Sequence, residues 1–428
     1  MRLYIDPGTG SMLFTIAVGL LGTAVFALRK LFLKLRFYTS GGKQKKDGGE
    51  KEPIAIFAES KRYWNVFGPV CDELERRGHD AVYLTGSEDD PAFKQNYTHI
   101  RCECIGADNK GFAKLNMLKA DVLLSTTPGL DVYQWKRSRD VKWYAHIPHM
   151  ANDITLYRMF GLDYYDAVLL SGEYQKKQIR ALESLRGLPE KELPIVGITY
   201  MDAMKARLDR AEPLPPQPVT VLLAPSWGES AILKRYGARI IDALLKTGYH
   251  IIVRPHPQSF TSEKEMLDAL TAQYPDSDRI EWNRDNDNFE VLRRADILIS
   301  DFSGVIFDFA LVFDKPVIYA DTSFDKAPYD AAWLDEPLWT FETLPKIGEP
   351  LSEEKLDSLK ELIDSCLSEP KKQAARDDAR AGTWAYPGEA AKRVADYLIE
   401  KQEAIFRAET EAAERKPQEK PEKRRTRA

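Results

Sequence analysis

The run ADILISDFSGVIFDFALVFDKPVIYA, residues 295 to 320, places a five-residue cluster, polar or small apart from Phe302, between two apolar stretches. The first stretch reads as a short buried strand. The second, Val305 to Phe313, reads as a helix that Lys315-Pro316 stops. Ser300-Asp301-Phe302-Ser303-Gly304 therefore sits where a strand ends and a helix begins. The first N–H groups of a helix lack internal partners and lie at the positive end of its dipole, so a phosphate is a natural ligand there. Ser303 adds a hydroxyl donor, and Gly304 leaves the backbone open to close approach. Asp301 repels an anion and suits hydroxyl or backbone donors instead. Asp308, a carboxylate on a largely apolar helix, demands a partner such as a ribose hydroxyl or an arginine. A plain helix cap accounts for the same serine and aspartate without any ligand.

Three further clusters carry chemistry. In VRPHPQS, Arg254 and His256 each precede a proline, which pushes both toward extended backbone. Positions two apart then face the same way, so a guanidinium and an imidazole project together. The first can fork two phosphate oxygens, and the second can donate to phosphate or move a proton. In WYAHIPHMAND, His146 ends a strand and His149 follows three residues on. Either suits the base that an attacking alcohol needs. His146 and His149 with Asp153 form half a metal site at most, and no metal is expected. In LLAPSWGE, Ser226 and Trp227 end a strand with Gly228 after them, in position to meet a ligand or to pack as a turn.

These clusters are spaced along an alternation of short apolar runs and amphipathic stretches. Strands are expected at 54–58, 80–85, 121–126, 141–147 and 165–171. After the proline-rich break AEPLPPQP the pattern restarts, with strands at 219–225, 249–255, 278–282, 295–300 and 315–320. Helices fill the gaps, among them a single one over ILKRYGARIIDALLKTG. This is the pattern of two α/β, Rossmann-like doubly wound domains, with ligands at the carboxyl ends of the strands and a cleft between the sheets. The expected boundaries are 54–212 for an N-terminal acceptor domain and 213–400 for a C-terminal donor-binding domain with its closing helices. Residues 401–428 are a charged helix end and a disordered tail.

Net charge is −5, which gives no general reason to expect nucleic acid, so any anion site must be local. Four cysteines in 428 residues are no disulfide framework. Ser11 to Leu28 is an uncharged run of 18 residues. As a helix it reaches about 27 Å, enough to cross a bilayer core. Arg29, Lys30, Lys34 and Arg36 follow it, which argues for a retained anchor with the remainder of the chain on the cytoplasmic side. The expectation is a membrane anchor over 1–38, its transmembrane helix at about 11–33, and a flexible Gly- and Lys-rich linker over 39–53.

The pairing of RPHP with ADILISDFSGVIFDFALVFDKPVIY resembles the signature of the CDP-glycerol glycerophosphotransferase family, the teichoic-acid primases and polymerases. LLAPSW, YLTGSEDDP, STTPGLDVYQWKRS, VKWYAHIPH and DYYDAVLLSGEYQKKQIRALE resemble other segments of that family, and the likeness spans roughly residues 54 to 400. The resemblance implies a GT-B-like fold with the active site between its two domains. It implies a CDP-alcohol donor held by Arg254, His256, Ser303 and Gly304, with Asp301 or Asp308 nearer the glycerol or ribose, and no cofactor. The catalytic histidine of the family, found in a His-Gly-Thr-Pro or His-Ser segment, falls at His146, with His149 in reserve. Where the family carries paired serines, this chain has Ser303-Gly304. The activity implied is transfer of glycerol phosphate, or another alditol phosphate, to a cell-envelope glycan or lipid-linked acceptor at the membrane, with release of CMP. A glycosyltransferase using a nucleotide sugar and a non-catalytic nucleotide-binding scaffold are the alternatives. On this reading, His146→Ala lowers turnover by about 10²- to 10⁴-fold with little loss of donor binding.

Overall fold

The first sheet is built from β1 (Glu52–Ala58), β2 (Ala81–Thr85), β3 (Ile100–Cys104), β4 (Ala120–Ser125), β5 (Val141–His146) and β6 (Ala167–Val168), in the order β3-β2-β1-β4-β5-β6. The second is built from β7 (Thr220–Leu223), β8 (His250–Val253), β9 (Ile280–Trp282), β10 (Ile297–Ser300), β11 (Val317–Ala320) and β12 (Gly348–Leu351), in the order β12-β11-β10-β7-β8-β9. Every pairing is parallel. Numbered within itself, each sheet has the 3-2-1-4-5-6 order of a doubly wound fold. The structure is a computed structural model that describes residues 51–415 apart from 286, 321–323 and 369–371. The expected anchor, the linker up to residue 50 and the tail from residue 416 lie outside the described residues. Among the described residues, no helix is long and apolar enough to cross a membrane.

The central strands are largely apolar because helices cover both faces of each sheet. β4 (ADVLLS), β7 (TVLL) and β10 (ILIS) are buried at every position, as expected of parallel sheets with no wet face. The two strands that sequence reading passes over, β3 and β12, are both at sheet edges. β3 reads IRCEC with only its first residue buried, and β12 reads GEPL. An edge strand is covered less, so it needs no continuous apolar run.

Two helices depart from expectation. The stretch after β7 is two helices, Ile232–Tyr236 and Ala238–Lys246, broken at Gly237, whose φ of 54° is left-handed. The helix after β10 begins as an α-turn at Val305–Phe307 and widens into a π-helix over Asp308–Val312. Such widenings cost helix stability and frequently mark functional positions.

The last of the closing helices, expected with the second domain, returns to the first, whereas Leu359 and Ile363 of helix Leu359–Ser368 stay in the second sheet's core. Val394, Ala395 and Leu398 of helix Ala390–Glu414 share a core with Ile54 and Ile56 of β1 and with Phe67 and Val70. Arg77 pairs with Asp396 at 2.6 Å, and Trp143 Nε1 donates to Tyr397 Oη at 3.0 Å. Asp202 secures the crossing, accepting from Trp384 Nε1 and from the N–H groups of Gly388 and Ala390 at 2.8 to 2.9 Å. The same helix runs unbroken through residue 400, where a boundary was expected.

Asp153 ties the sheets together. Its carboxylate accepts from the N–H groups of Trp339 and Thr340, each at 2.8 Å, and from Thr340 Oγ1 at 2.6 Å. It thereby caps helix Trp339–Ile347 from the opposite side of the molecule. Gln178 also donates to it. Asp153 is therefore committed to a cap rather than to a metal. We expect Asp153→Ala to strand buried N–H groups and to lower stability by about 2–4 kcal/mol, read as a shift in the urea midpoint.

Candidate active site

The carboxyl ends of β1, β5, β7, β8 and β10 open onto one cavity of about 290 Å³. From the first sheet's side come Arg62, His149, Met150, Tyr200 and Arg207. From the second come Arg254, His256, Ser303, Gly304 and Asp308. Six residues singled out from sequence thus meet at one surface: His149, Arg254, His256, Ser303, Gly304 and Asp308.

Arg254 and His256 leave the end of β8 together, as the proline spacing predicts. Arg254 is anchored from behind, donating to Asn283 Oδ1 and, at 2.8 Å, to the carbonyl of Asp285. His256 Nδ1 accepts the backbone N–H of Gln258 at 3.1 Å. The neutral ring therefore carries its proton on Nε2 and is a donor. Burial, together with the positive charges of Arg62 and Arg254, lowers its pKa to about 4.

Gly304 has a second reason to lack a side chain. A Cβ there would lie 2.9 Å from Met150 Sδ and 3.2 Å from Met150 Cβ. The loop that carries His149 thus packs directly on the start of the helix after β10, and a second serine would push it away. Asp308 lies one turn on. Tyr200 Oη donates to it at 2.7 Å across the cleft. Burial raises its pKa to about 6.

Four expected contacts are corrected. His146 is fully buried beneath the cleft, with Nε2 3.0 Å from Tyr157 Oη, and does not line it. The outward position belongs to His149, three residues on, because β5 carries His146 into the sheet interior and the chain emerges only after Ile147-Pro148. Asp301 is also buried. It accepts from the N–H groups of Ser226 at 2.9 Å, Ile232 at 2.9 Å and Phe302 at 2.8 Å. Its work is to join the loops after β7 and β10, and burial raises its pKa to about 6 against those donors. Ser226 spends its N–H on that carboxylate, and Ala224 and Pro225 line the cleft in its place. Trp227 stands outside the lining, exposed, its ring 6.4 Å from that of His256. Gly228, at φ 93°, serves a left-handed turn, and a Cβ there would meet nothing within 4 Å.

Sequence reading missed Arg62, Tyr200 and Arg207. Arg62 follows β1 directly, and the rule that parallel sheets bind at their carboxyl ends points to that loop. It makes no ion pair among the described residues, whereas Arg207 pairs with Asp287 at 2.6 Å. Nothing local marks Tyr200 or Arg207. Among the described residues no group of three or more His, Cys, Asp or Glu converges to hold a metal ion.

Two parallel-sheet α/β domains with a cationic cleft between their strand ends define a GT-B-like architecture. Solved structures share it. A UDP-GlcNAc 2-epimerase of Methanocaldococcus jannaschii, in complex with UDP-GlcNAc and UDP, is 15% identical with a TM-score of 0.54, over 81% of this chain and 99% of its own. MnaA of S. aureus, a co-structure with UDP, is 14% identical with a TM-score of 0.55, over 82% and 97%. A putative UDP-N-acetylglucosamine 2-epimerase of Listeria monocytogenes is 14% identical with a TM-score of 0.53, over 81% and 95%. At such identities the likeness is one of fold. No curated protein matches the chain in sequence. The model of the CDP-Glycerol:Poly(glycerophosphate) glycerophosphotransferase family matches residues 177–400, just over half of the chain, and the chain belongs to that family. It is a glycerophosphotransferase-type enzyme.

Burial lowers the His149 pKa to about 4. An imidazole can accept a proton only in its neutral form, which exists above its pKa, so the His149 ring remains a possible acceptor as pH falls from 7 to about 4. We expect no loss of kcat/KM near pH 6.5 on its account. Asp308 ionises near pH 6, and its negative charge opposes an anionic ligand. Donor affinity should therefore fall as pH rises through about 6, and Asp308→Asn should flatten that step. A pH profile of kcat/KM on both proteins checks it.

Proposed function

We propose that the chain transfers glycerol phosphate, or another alditol phosphate, from a CDP-alcohol to a hydroxyl of a cell-envelope glycan or lipid-linked acceptor, and that CMP leaves. The observation that carries the reading is the convergence of Arg254, His256 and the Ser303-Gly304 helix start in one cleft opposite His149. The family model spans the first four of these residues.

In this reading Arg254, the Nε2–H of His256, the Ser303 hydroxyl and the helix start hold the diphosphate. Arg62 lies near enough to depress the His256 pKa and adds positive charge from the other wall. The acceptor hydroxyl attacks the phosphorus that bears glycerol. Its oxygen forms the new P–O bond while the bond from that phosphorus to the bridging oxygen breaks. His149 Nε2 takes the hydroxyl proton, and CMP departs with the bridging oxygen and its electron pair. Donors already in place stabilise charge on the departing phosphate. No step requires a cofactor or metal, and no nucleic acid takes part. Behind His149 lies a second cavity of about 140 Å³, lined in part by Asn152, Tyr157 and Gln175, which suits the approach of a polyol acceptor. The uncharged run Ser11 to Leu28 would hold the enzyme at the cytoplasmic face of the membrane, where lipid-linked acceptors lie.

The test is incubation with labelled CDP-glycerol, other CDP-alcohols and UDP-sugars in the presence of membranes. Transfer of the alditol label with stoichiometric CMP is expected. Transfer of sugar with release of UDP would replace this reading with a glycosyltransferase. We further expect His149→Ala to lower kcat by about 10²- to 10⁴-fold with donor KM little changed. Arg254→Ala, which removes charge-assisted bonds worth about 1.5–3 kcal/mol, should lower kcat/KM by about 10- to 150-fold.

A further inference from the structure

Three arginines line the cleft, and two of them are engaged. Arg254 donates to Asn283 and to the carbonyl of Asp285. Arg207 pairs with Asp287 at 2.6 Å and lies 4.0 Å over the ring of Phe289. Arg62 is exposed and has neither an ion pair nor a side-chain hydrogen bond among the described residues. The turn that carries it is nevertheless fixed on both sides. Arg62 is the middle residue of the short helical turn Lys61–Tyr63, which follows β1. On one side, the Lys61 N–H donates to Ser87 Oγ at 3.1 Å and the Lys61 ammonium pairs with Asp89. On the other, the Tyr63 ring packs edge-on against His149, with centroids 5.2 Å apart. The backbone is held while the guanidinium keeps all its donors for a ligand.

Its place decides which phosphate it meets. A base stands beside the attacking hydroxyl, and so beside the phosphorus under attack, the one that bears glycerol. Arg62 is on the same wall as His149, one residue from the ring that touches it. Across the cleft, its charge reaches His256 and contributes to the lowered pKa of that imidazole. During transfer the acceptor oxygen bonds to this phosphorus, its proton goes to His149, and the bond to the bridging oxygen breaks with the electron pair leaving on CMP. Negative charge is then spread over the non-bridging oxygens of the moving phosphoryl group. An unpaired guanidinium on the base's side of the cleft is suited to fork two of those oxygens.

We propose that Arg62 is a further catalytic residue, which binds the phosphoryl group being transferred rather than the CMP that leaves. This rests on the reading of the cleft as a CDP-alcohol site with His149 as base. Residue 62 lies outside the stretch 177–400 that the family model matches, so the assignment comes from the cleft alone.

The test compares CMP with CDP, whose terminal phosphate stands in for the transferred group, by calorimetric titration of the full chain. Arg62→Ala should weaken CDP by about 10- to 150-fold and leave CMP within about twofold. With CDP-glycerol it should lower kcat by about 10²- to 10³-fold. Arg62→Lys, which keeps the charge and loses the fork, should recover part of both losses. The urea midpoint should not move in either variant, because the side chain bonds nothing in the unliganded protein. CDP affinity unchanged in Arg62→Ala, or CMP and CDP weakened alike, overturns the proposal. Failure of the underlying reading looks different. A wild type that binds neither nucleotide removes the donor site and Arg62 with it. Full turnover in His149→Ala removes the base, while the CDP and CMP affinities still decide which phosphate Arg62 holds.

Discussion

The second-domain wall of the cleft depends on one buried carboxylate. Asp301 collects backbone N–H groups from Ser226, Ile232 and Phe302, and so binds the loop after β7 to the loop after β10. A carboxylate is suited to this because it accepts through both oxygens and donates nothing when ionised. Its burial would be costly alone, and the opposed effects of desolvation and of those donors leave its pKa raised to about 6. At neutral pH it is therefore a charged acceptor that no side-chain motion easily replaces. Ser303 and Gly304 follow it directly and inherit their positions from it.

The same device closes the rest of the molecule. Asp153 caps a helix that belongs to the opposite sheet, and Asp202 holds the segment that returns the C-terminal helix to the first one. Asp330 accepts from the N–H of Phe160 at 2.7 Å and bonds Arg186, which clamps the far rim. In each case a short acidic side chain satisfies donors that a loop or helix end would otherwise bury unpaired. Tyr200 and Asp308 add a bond across the cleft itself. Together with the contact of Met150 on Gly304, these links set how far His149 stands from the Ser303-Gly304 helix start.

This division gives the two walls different characters. The second sheet supplies a cluster whose members are each held by backbone: Arg254 on a carbonyl, His256 on an N–H. The first sheet supplies His149, whose Nδ1 lies 3.2 Å from the side-chain hydroxyl of Thr126. A rigid wall suits binding of a fixed anionic group.

Much of this was legible in residue order. The alternation of apolar runs announced both sheets, because strands covered on two faces are largely apolar. The strand-end clusters announced the cleft, because parallel strands present their carboxyl ends on one edge. Pro255 and Pro257 fixed the common direction of Arg254 and His256 through local sterics alone. The strands β3 and β12 were hidden because an edge is only partly covered. Burial, by contrast, depends on what packs from elsewhere in the chain. His146 and His149 look equivalent as letters, and only tertiary packing, with Tyr165 on His146 and Tyr157 on both rings, buries one and leaves the other lining the cleft. Asp301 looks like a ligand contact until two distant loops bring their N–H groups to it. Tyr200, Arg207 and the return of the last helix likewise depend on contacts far apart in sequence, which no local pattern of side chains can encode.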